Sequence, residues 1–171
     1  YTSAKLKSKG DGWKYKRMEI RAKMPSGLGT WPAFWLMAKE QTYGENIWPD
    51  NGEIDIFEHV GRDPNYNLGC FYTKNFHWMH GTGKTEVVEV KTAESEFHIY
   101  TLDWNDDRAV LSVDGVPYNT FINPHTNWAD WPFDQKYYMM INLALGGFGG
   151  PVDENIFPQT LLIDYVRIYE P

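Results

Sequence analysis

The stretch NGEIDIFEHVG at 51–61 constrains the fold more than any other part of the sequence, because it places acids among residues that favour a buried strand. Its acids are Glu53, Asp55 and Glu58. Half of the other residues are β-branched or aromatic, namely Ile54, Ile56, Phe57 and Val60. A helix would scatter the three carboxylates around its circumference, whereas a strand places every second side chain on one face. The stretch therefore predicts a β-strand.

The spacing of the three acids also predicts an irregularity in that strand. Strict alternation would place Glu53 and Asp55 on one face and Glu58 on the other. A β-bulge at Ile56-Phe57 would let two residues oppose one on the neighbouring strand and would return Glu58 to the face of the other acids. Because bulges are over-represented next to active sites, a row of carboxylates on one face is a candidate site.

Three interpretations of this acidic row are open from the spacing alone. Two carboxylates about 5–5.5 Å apart across a sugar bond form the site of a retaining glycosidase. Asp55 would then be a negative neighbour that disfavours ionisation of Glu58, and it would orient Glu53 through a hydrogen bond. Alternatively, the acids line a solvated strand face, or they supply oxygen ligands to a calcium ion.

The acidic motif, together with the residues around it, resembles the signature of glycoside hydrolase family 16, in the bulge-containing branch that includes laminarinases. The resemblance covers nearly the whole chain. Further matching stretches are YTSA at 1–4, GTWPAFW at 29–35, WPFDQ at 131–135, NLA at 142–144 and DYVRIY at 164–169. The resemblance implies that Glu53 is the nucleophile, that Asp55 assists it and that Glu58 is the acid/base.

The activity implied by the resemblance is retaining, internal cleavage of β-1,3 linkages in a β-glucan such as laminarin. One alternative is the same mechanism acting on a mixed-linkage β-1,3-1,4-glucan or on a marine galactan. A second alternative is a non-catalytic, carbohydrate-binding jelly roll. The non-catalytic module would not need three acids on one bulged strand, so their presence favours the enzyme.

Aromatic residues make up 16% of the chain, with eight tryptophans, and flat aromatic faces suit a sugar-binding surface. The segment from Thr30 to Met37 is apolar on both predicted faces, so its tryptophans either belong to the core or face a cleft. The resemblance favours the cleft. The predicted substrate-binding residues are Trp31, Trp35, Trp48, Tyr72, Trp131, Gln135 and Asn142.

Family members often bind a structural calcium ion, and the resemblance implies Asp164 as one ligand, with other ligands supplied by N-terminal residues. No cofactor is expected for catalysis. The YTSA stretch resembles one that family members reach only some distance into the domain, so the N-terminal strands are expected to be absent. Exposed sheet edges would follow, and we expect a monomer unless another chain supplies these strands.

The chain departs from the family pattern at three positions near the predicted cleft. Leu68 and Tyr72 stand where laminarinase-like members carry histidines, and Phe148 stands where a tryptophan is usual. The first two changes lie on the strand expected to follow the acidic one, where they would alter the subsites of the leaving group. The third change keeps an aromatic face.

About ten short strands, frequent turns and no long helical period predict an all-β sandwich. The resemblance sharpens this to a jelly roll of two curved antiparallel sheets with a concave substrate cleft, in a single catalytic domain over 1–171. A net charge of −7 argues against nucleic-acid and anionic-membrane partners and allows a neutral polysaccharide. From that substrate we expect a secreted, cell-surface or periplasmic location, although this chain shows no signal peptide.

Overall fold

In the computed structural model, which describes residues 1–170, the chain forms eleven β-strands in two antiparallel sheets. Strands β1 to β11 are Lys5–Lys7, Arg17–Lys23, Thr30–Ala38, Glu53–His59, Tyr66–Tyr72, Lys84–Glu89, His98–Trp104, Arg108–Val113, Val116–Ile122, Tyr137–Leu145 and Leu162–Tyr169. The first sheet has the order β1-β10-β3-β4-β5-β6 and the second has the order β11-β2-β7-β8-β9. The predicted jelly-roll sandwich is confirmed for these residues, and residue 171 lies outside them.

The alternation of apolar and charged residues sets the inner face of the second sheet. Along β2, Met18, Ile20 and Ala22 are fully buried, while the charged residues between them point away from the core. Burying every second side chain is the behaviour expected of an antiparallel strand with one wet face. The alternating sequence of β2 therefore determines which of its faces lies in the core.

Aromatic side chains join the two sheets at the centre of the core. Phe57 on β4 lies between Phe34 on β3 and Tyr100 on β7, with ring centroids 6.2 Å and 4.4 Å away. All three side chains are fully buried. Buried aromatic rings contribute large apolar areas, so this cluster fixes the position of β4 against the opposite sheet.

The acidic strand β4 lies between β3 and β5, and its pairing contains the predicted bulge. Asp55 lies opposite Cys70 of β5 and Glu58 lies opposite Leu68, so two residues of β4 face the single Gly69 between them. The same extra residue shifts the register against β3. The bulge at Ile56-Phe57 is confirmed.

A tyrosine from the second sheet supports the bulge. The Tyr118 hydroxyl on β9 donates a 3.0 Å hydrogen bond to the carbonyl oxygen of Ile56, which the bulge removes from the regular ladder. Gly69 leaves the room for this contact, because a Cβ atom there would lie 2.2 Å from the hydroxyl oxygen. The neighbouring Asn119 amide donates to the Gly69 carbonyl oxygen at 3.0 Å.

Strands β1 and β11 lie on the same side of the sandwich, and the two sheets leave a groove between them there. An apolar groove of about 700 Å³ lies there, lined by residues that include Leu6, Ile141 and Phe157. Strand β1 is one edge of the first sheet, and β11 is one edge of the second. Among residues 1–170, no helix has the length and apolar character needed to cross a membrane.

We predict that Tyr118→Phe lowers the free energy of unfolding by roughly 1–3 kcal/mol, because it leaves the buried Ile56 carbonyl oxygen without its donor. Urea denaturation would measure the change. Tyr66→Phe is the matched control, since Tyr66 is an exposed tyrosine on the neighbouring strand β5. An equal and small effect of the two substitutions would contradict the role given to the hydroxyl.

Candidate active site

The acidic row forms the floor of a cleft that runs across the strands of the first sheet. One part of the cleft, about 830 Å³, extends over β5 and β6, and a second part, about 360 Å³, extends over β3, β10 and β1. Both parts are lined by Glu53, Asp55 and Glu58, together with Trp31 and Trp35. The three carboxylates therefore lie in the middle of the cleft, and the cleft continues on both sides of them.

Aromatic side chains form the two walls of the cleft. At the Glu53 end of β4, the wall contains Trp48 from the loop before β4, Tyr72 from β5 and Trp78 from the loop after β5. At the Glu58 end, the wall contains Trp31 and Phe148, whose rings meet edge to face at 5.6 Å. A polymer lying in the cleft would thus pass between Glu53 on one side and Glu58 on the other.

Two indole N–H groups hold polar side chains in this cleft. The Trp31 indole donates a 2.8 Å hydrogen bond to a carboxylate oxygen of Glu58. The Trp35 indole donates to the side-chain oxygen of Asn142 on β10 at 2.7 Å. Because indole nitrogens only donate, these contacts fix which oxygen faces each ring and leave the Asn142 amino group for another partner.

The environment of Glu58 favours its protonated form. Burial raises the pKa of Glu58 to about 7, the negative charge of Glu53 adds to the rise, and the hydrogen bond from Trp31 opposes it. A carboxyl group with a pKa near neutrality can hold a proton at physiological pH and release it during a reaction. Glu58 therefore has the properties of a general acid.

Glu53 and Asp55 share a hydrogen bond, and their surroundings raise the pKa of Asp55 more strongly than the pKa of Glu53. Burial, the charges of Glu53 and Glu58, and this hydrogen bond raise the pKa of Asp55 well above its usual value. Burial also raises the pKa of Glu53, but the hydrogen bond from Asp55, the nearby Trp48 indole N–H and the positive charge of Lys5 oppose that rise. The surroundings therefore favour the protonated form more strongly in Asp55 than in Glu53, and Asp55 is the side chain suited to donate the shared hydrogen bond.

This arrangement corrects one expectation for Asp55. The sequence suggested that a negatively charged Asp55 disfavours ionisation of Glu58. In the structure the negative charge that raises the pKa of Glu58 belongs to Glu53, and the pKa of the buried Asp55 is itself raised by burial and by both neighbouring acids. The expected orienting hydrogen bond between Asp55 and Glu53 is present.

Most of the predicted substrate-binding residues lie along the cleft, and Trp131 does not. Trp131 is only 4% exposed and packs against Phe121 and Phe133, with ring centroids 5.3 Å and 5.1 Å away. Its place in the core corrects the prediction. The residues that do line the cleft are Trp31, Trp35, Trp48, Tyr72 and Asn142.

Gln135 also lies outside the residues that line the cleft. Its side-chain oxygen accepts a 2.7 Å hydrogen bond from Thr42, and its amide donates to the Pro132 carbonyl oxygen at 3.2 Å. The contact with Thr42 ties the loop before β4 to the loop before β10, and the contact with Pro132 lies within the latter loop. The structure therefore assigns Gln135 to the support of the cleft, in place of the predicted sugar contact.

The residues around Asp164 do not fit a calcium site. The Asp164 carboxylate forms a 2.7 Å ion pair with Arg21 on the adjacent strand β2. Within residues 1–170 there is no group of three or more His, Cys, Asp or Glu side chains that could hold a metal ion. Calcium prefers several oxygen ligands without a competing cation, so the Arg21 guanidinium argues against binding at this position.

Three residues at the cleft were not predicted as site residues. Trp78 and Phe148 complete the aromatic walls, and the Lys5 amine lies 4.9 Å from the centre of the Trp35 ring. Trp78 occupies a loop without a periodic pattern, so the sequence does not show which way it faces, whereas the resemblance places Phe148 near the cleft without assigning it to the site. Lys5 reaches the cleft because β1 pairs with β10, and that pairing joins residues far apart in the sequence.

A β-sandwich whose cleft carries a buried carboxylate row between aromatic walls has the features of a glycoside hydrolase. Residues 1–167 match the model of glycosyl hydrolases family 16. The chain belongs to that family.

Three relatives place the chain within the family. The β-glucanase of Rhodothermus marinus is 45% identical to this chain, in an alignment that covers 99% of this chain and 62% of that protein. The solved structure of the laminarinase from Rhodothermus marinus aligns with a TM-score of 0.90 at 44% identity, covering 93% of this chain and 66% of the other. A β-1,3-glucan-binding protein of Penaeus monodon is 33% identical over 87% of this chain and 48% of its own length.

We predict that Trp31→Phe raises the pKa of Glu58 above about 7, because it removes the indole N–H that stabilises the ionised carboxylate while keeping an aromatic ring. A carbon-13 NMR titration of the Glu58 carboxyl group would measure the midpoint. Trp35→Phe is the control, since its N–H bonds to Asn142. A midpoint that moves to lower pH in Trp31→Phe would contradict the argument.

We also predict that Trp131→Ala lowers the free energy of unfolding by roughly 3–5 kcal/mol, as expected for a large aromatic side chain removed from a core. Trp131→Phe is the milder variant if the alanine variant does not fold. Chemical denaturation would measure both. A Trp131→Ala protein with unchanged stability would return Trp131 to the list of exposed, sugar-binding candidates.

Proposed function

We propose that this chain carries a retaining endo-glycosidase site that hydrolyses internal β-1,3 linkages of a β-glucan such as laminarin. The observation that carries the proposal is the carboxylate row on β4 at the floor of the cleft, with Glu53 towards one aromatic wall and Glu58 towards the other. A retaining mechanism needs one carboxylate on each side of the sugar bond. The cleft supplies that arrangement across its width.

In the first step, the ionised Glu53 carboxylate attacks the anomeric carbon, while Glu58 gives its proton to the leaving glycosidic oxygen. The bond between the carbon and that oxygen breaks, and a covalent ester forms with Glu53. The protonated Asp55 donates a hydrogen bond to Glu53, which keeps Glu53 ionised and fixes its orientation. Burial holds the proton on Glu58 until the leaving oxygen accepts it.

In the second step, Glu58 has lost its proton and acts as a general base towards water. Water attacks the same anomeric carbon and gives a proton to Glu58, and the bond to Glu53 breaks. Two displacements at one carbon restore the original configuration. Both carboxyl groups return to their starting protonation states, so the reaction needs no further reagent.

Internal cleavage is supported by the continuation of the cleft on both sides of the acids. A terminal sugar-removing site would be closed at one end, whereas this cleft has lining residues over β5 and β6 as well as over β10 and β1. A polysaccharide chain can therefore cross the acids with sugar units on each side. The same geometry also accepts mixed-linkage glucans.

The choice of a β-1,3-glucan is supported by the names of the Rhodothermus marinus proteins, which are a β-glucanase and a laminarinase. The similarity to a glucan-binding protein of Penaeus monodon supports the alternative of a non-catalytic module. The raised pKa of Glu58 argues for the enzyme, since burial of three acids has no evident use in binding alone.

We predict that Glu53→Gln and Glu58→Gln each reduce turnover of laminarin by orders of magnitude without unfolding the protein, because each removes one partner of the double displacement. Asp55→Asn should be milder. Reducing-sugar release would measure turnover, and Glu86→Gln, on the β6 face that points away from the cleft, is the matched control. Equal activity of Glu53→Gln and the control would refute the assignment.

Stereochemistry gives an independent test of the retaining assignment. Proton NMR of a laminarin digest at early times should show the β-anomer first, followed by slow mutarotation to the α-anomer. The α-anomer appearing first would refute retention. A digest that releases glucose from the earliest times, with no longer oligomers, would refute internal cleavage.

A further inference from the structure

Trp78 is an exposed tryptophan on a wall of the cleft. It begins a 3₁₀ turn, Trp78–His80, in the loop between β5 and β6, and its side chain is 65% exposed. The indole lies among the residues that line the cleft on the β5 and β6 side. A large apolar ring that faces a binding cleft in this way is available to cover the apolar face of a ligand.

The loop that carries Trp78 is held in place by hydrogen bonds. The Asn75 backbone N–H donates to the Ala129 carbonyl oxygen at 3.0 Å, and its side-chain amide donates to Asp130 at 2.8 Å. The Thr82 hydroxyl donates to the Asn75 carbonyl oxygen at 2.9 Å, which closes the loop. The indole is therefore presented by an ordered loop, and binding would require little further ordering.

Trp78 continues the aromatic wall that contains Trp48 and Tyr72. The rings of Trp78 and Trp48 are 6.3 Å apart with an interplanar angle of 31°, and Trp48 lies 6.3 Å from Tyr72. Tyr72 is the direct partner of Glu53 across the sheet, so this wall begins at the proposed nucleophile. Trp48 is half-buried and Trp78 is exposed, which indicates that the wall extends outward from the acids.

A pyranose ring with equatorial substituents has an apolar face of C–H groups, which packs against an indole. Successive rings of a glucan chain would meet the wall in order along the cleft. Anionic ligands have no counter-charge here, since the residues that line this part of the cleft include three acids and no lysine or arginine. The wall therefore fits an uncharged sugar chain.

We propose that Trp78 forms a sugar-binding platform beyond Trp48 and Tyr72, which holds an additional pyranose ring of the same glucan chain. This inference rests on the proposed function and names a subsite of that site. Its consequence is a dependence on chain length. Oligosaccharides long enough to reach Trp78 gain affinity from it, and shorter ones that occupy only the units near Glu53 gain none.

The test compares Trp78→Ala with its parent in the inactive Glu53→Gln background, by calorimetry with β-1,3-linked glucose oligomers of increasing length. We expect the affinity for the longest oligomers to fall on the order of threefold to tenfold, the range of one aromatic contact. The affinity for the shortest oligomers should not change. Trp78→Phe should recover part of the loss.

Trp128→Ala is the matched control, because Trp128 is also a partly exposed loop tryptophan, but it stacks on Tyr43 at 5.7 Å outside the residues that line the cleft. Thermal unfolding of each variant would verify that it folds. An unchanged affinity of Trp78→Ala for long oligomers, or an equal loss at every length, would overturn the inference.

The outcomes separate this inference from the proposed function. If the unmodified protein hydrolyses laminarin and Trp78→Ala shows no length-dependent loss, the inference fails and the function stands. If the unmodified protein binds the oligomers without cleaving laminarin, the function fails, and the length series still decides for or against Trp78. If the parent binds no oligomer of any length, both proposals fail.

Discussion

The fold and the candidate site both depend on the bulge at Ile56-Phe57. Without it, alternation along β4 would send Glu58 into the core and would bring Phe57 out of its contact with Tyr100. The bulge leaves a carbonyl oxygen outside the ladder, and the Tyr118 hydroxyl satisfies it from the opposite sheet. One hydrogen bond thus connects the second sheet with the spacing of the acids, and Gly69 provides the space for it.

The acids also show why a site of this kind requires a well-packed support. Burying carboxyl groups disfavours their charged forms, and three close together increase the effect. In this cleft the cost of burying the acids is lowered by the hydrogen bond between Asp55 and Glu53 and by the Trp31 hydrogen bond to Glu58. The pKa of Glu58 is raised to about 7, which suits a general acid, while the hydrogen bond from Asp55 favours the ionised form of Glu53 at the other end of the row.

Sequence reasoning succeeded where side-chain period is informative. The strand that carries the three acids and the bulge within it both followed from the residue pattern at 51–61. Sequence reasoning failed where the place of a side chain depends on tertiary contacts. Trp131 lies in an irregular segment, where no period distinguishes a core ring from an exposed one, and Tyr118 supports a bulge 62 positions away in the sequence. Neither the burial of Trp131 nor the contact between Tyr118 and the bulge is indicated by the residues next to it in the sequence.

The high aromatic content has a structural explanation in the division of the tryptophans. Trp104 and Trp131 are buried in the core, while four others line the cleft, namely Trp31, Trp35, Trp48 and Trp78. A core of this size does not require the four cleft rings, since β-branched and phenylalanine side chains already fill the space between the sheets. The tryptophans beyond those in the core therefore lie over the cleft face of the first sheet. These rings surround the carboxylates from both ends of β4 and contribute to the burial that raises the pKa of Glu58, while the indole N–H of Trp31 opposes that rise.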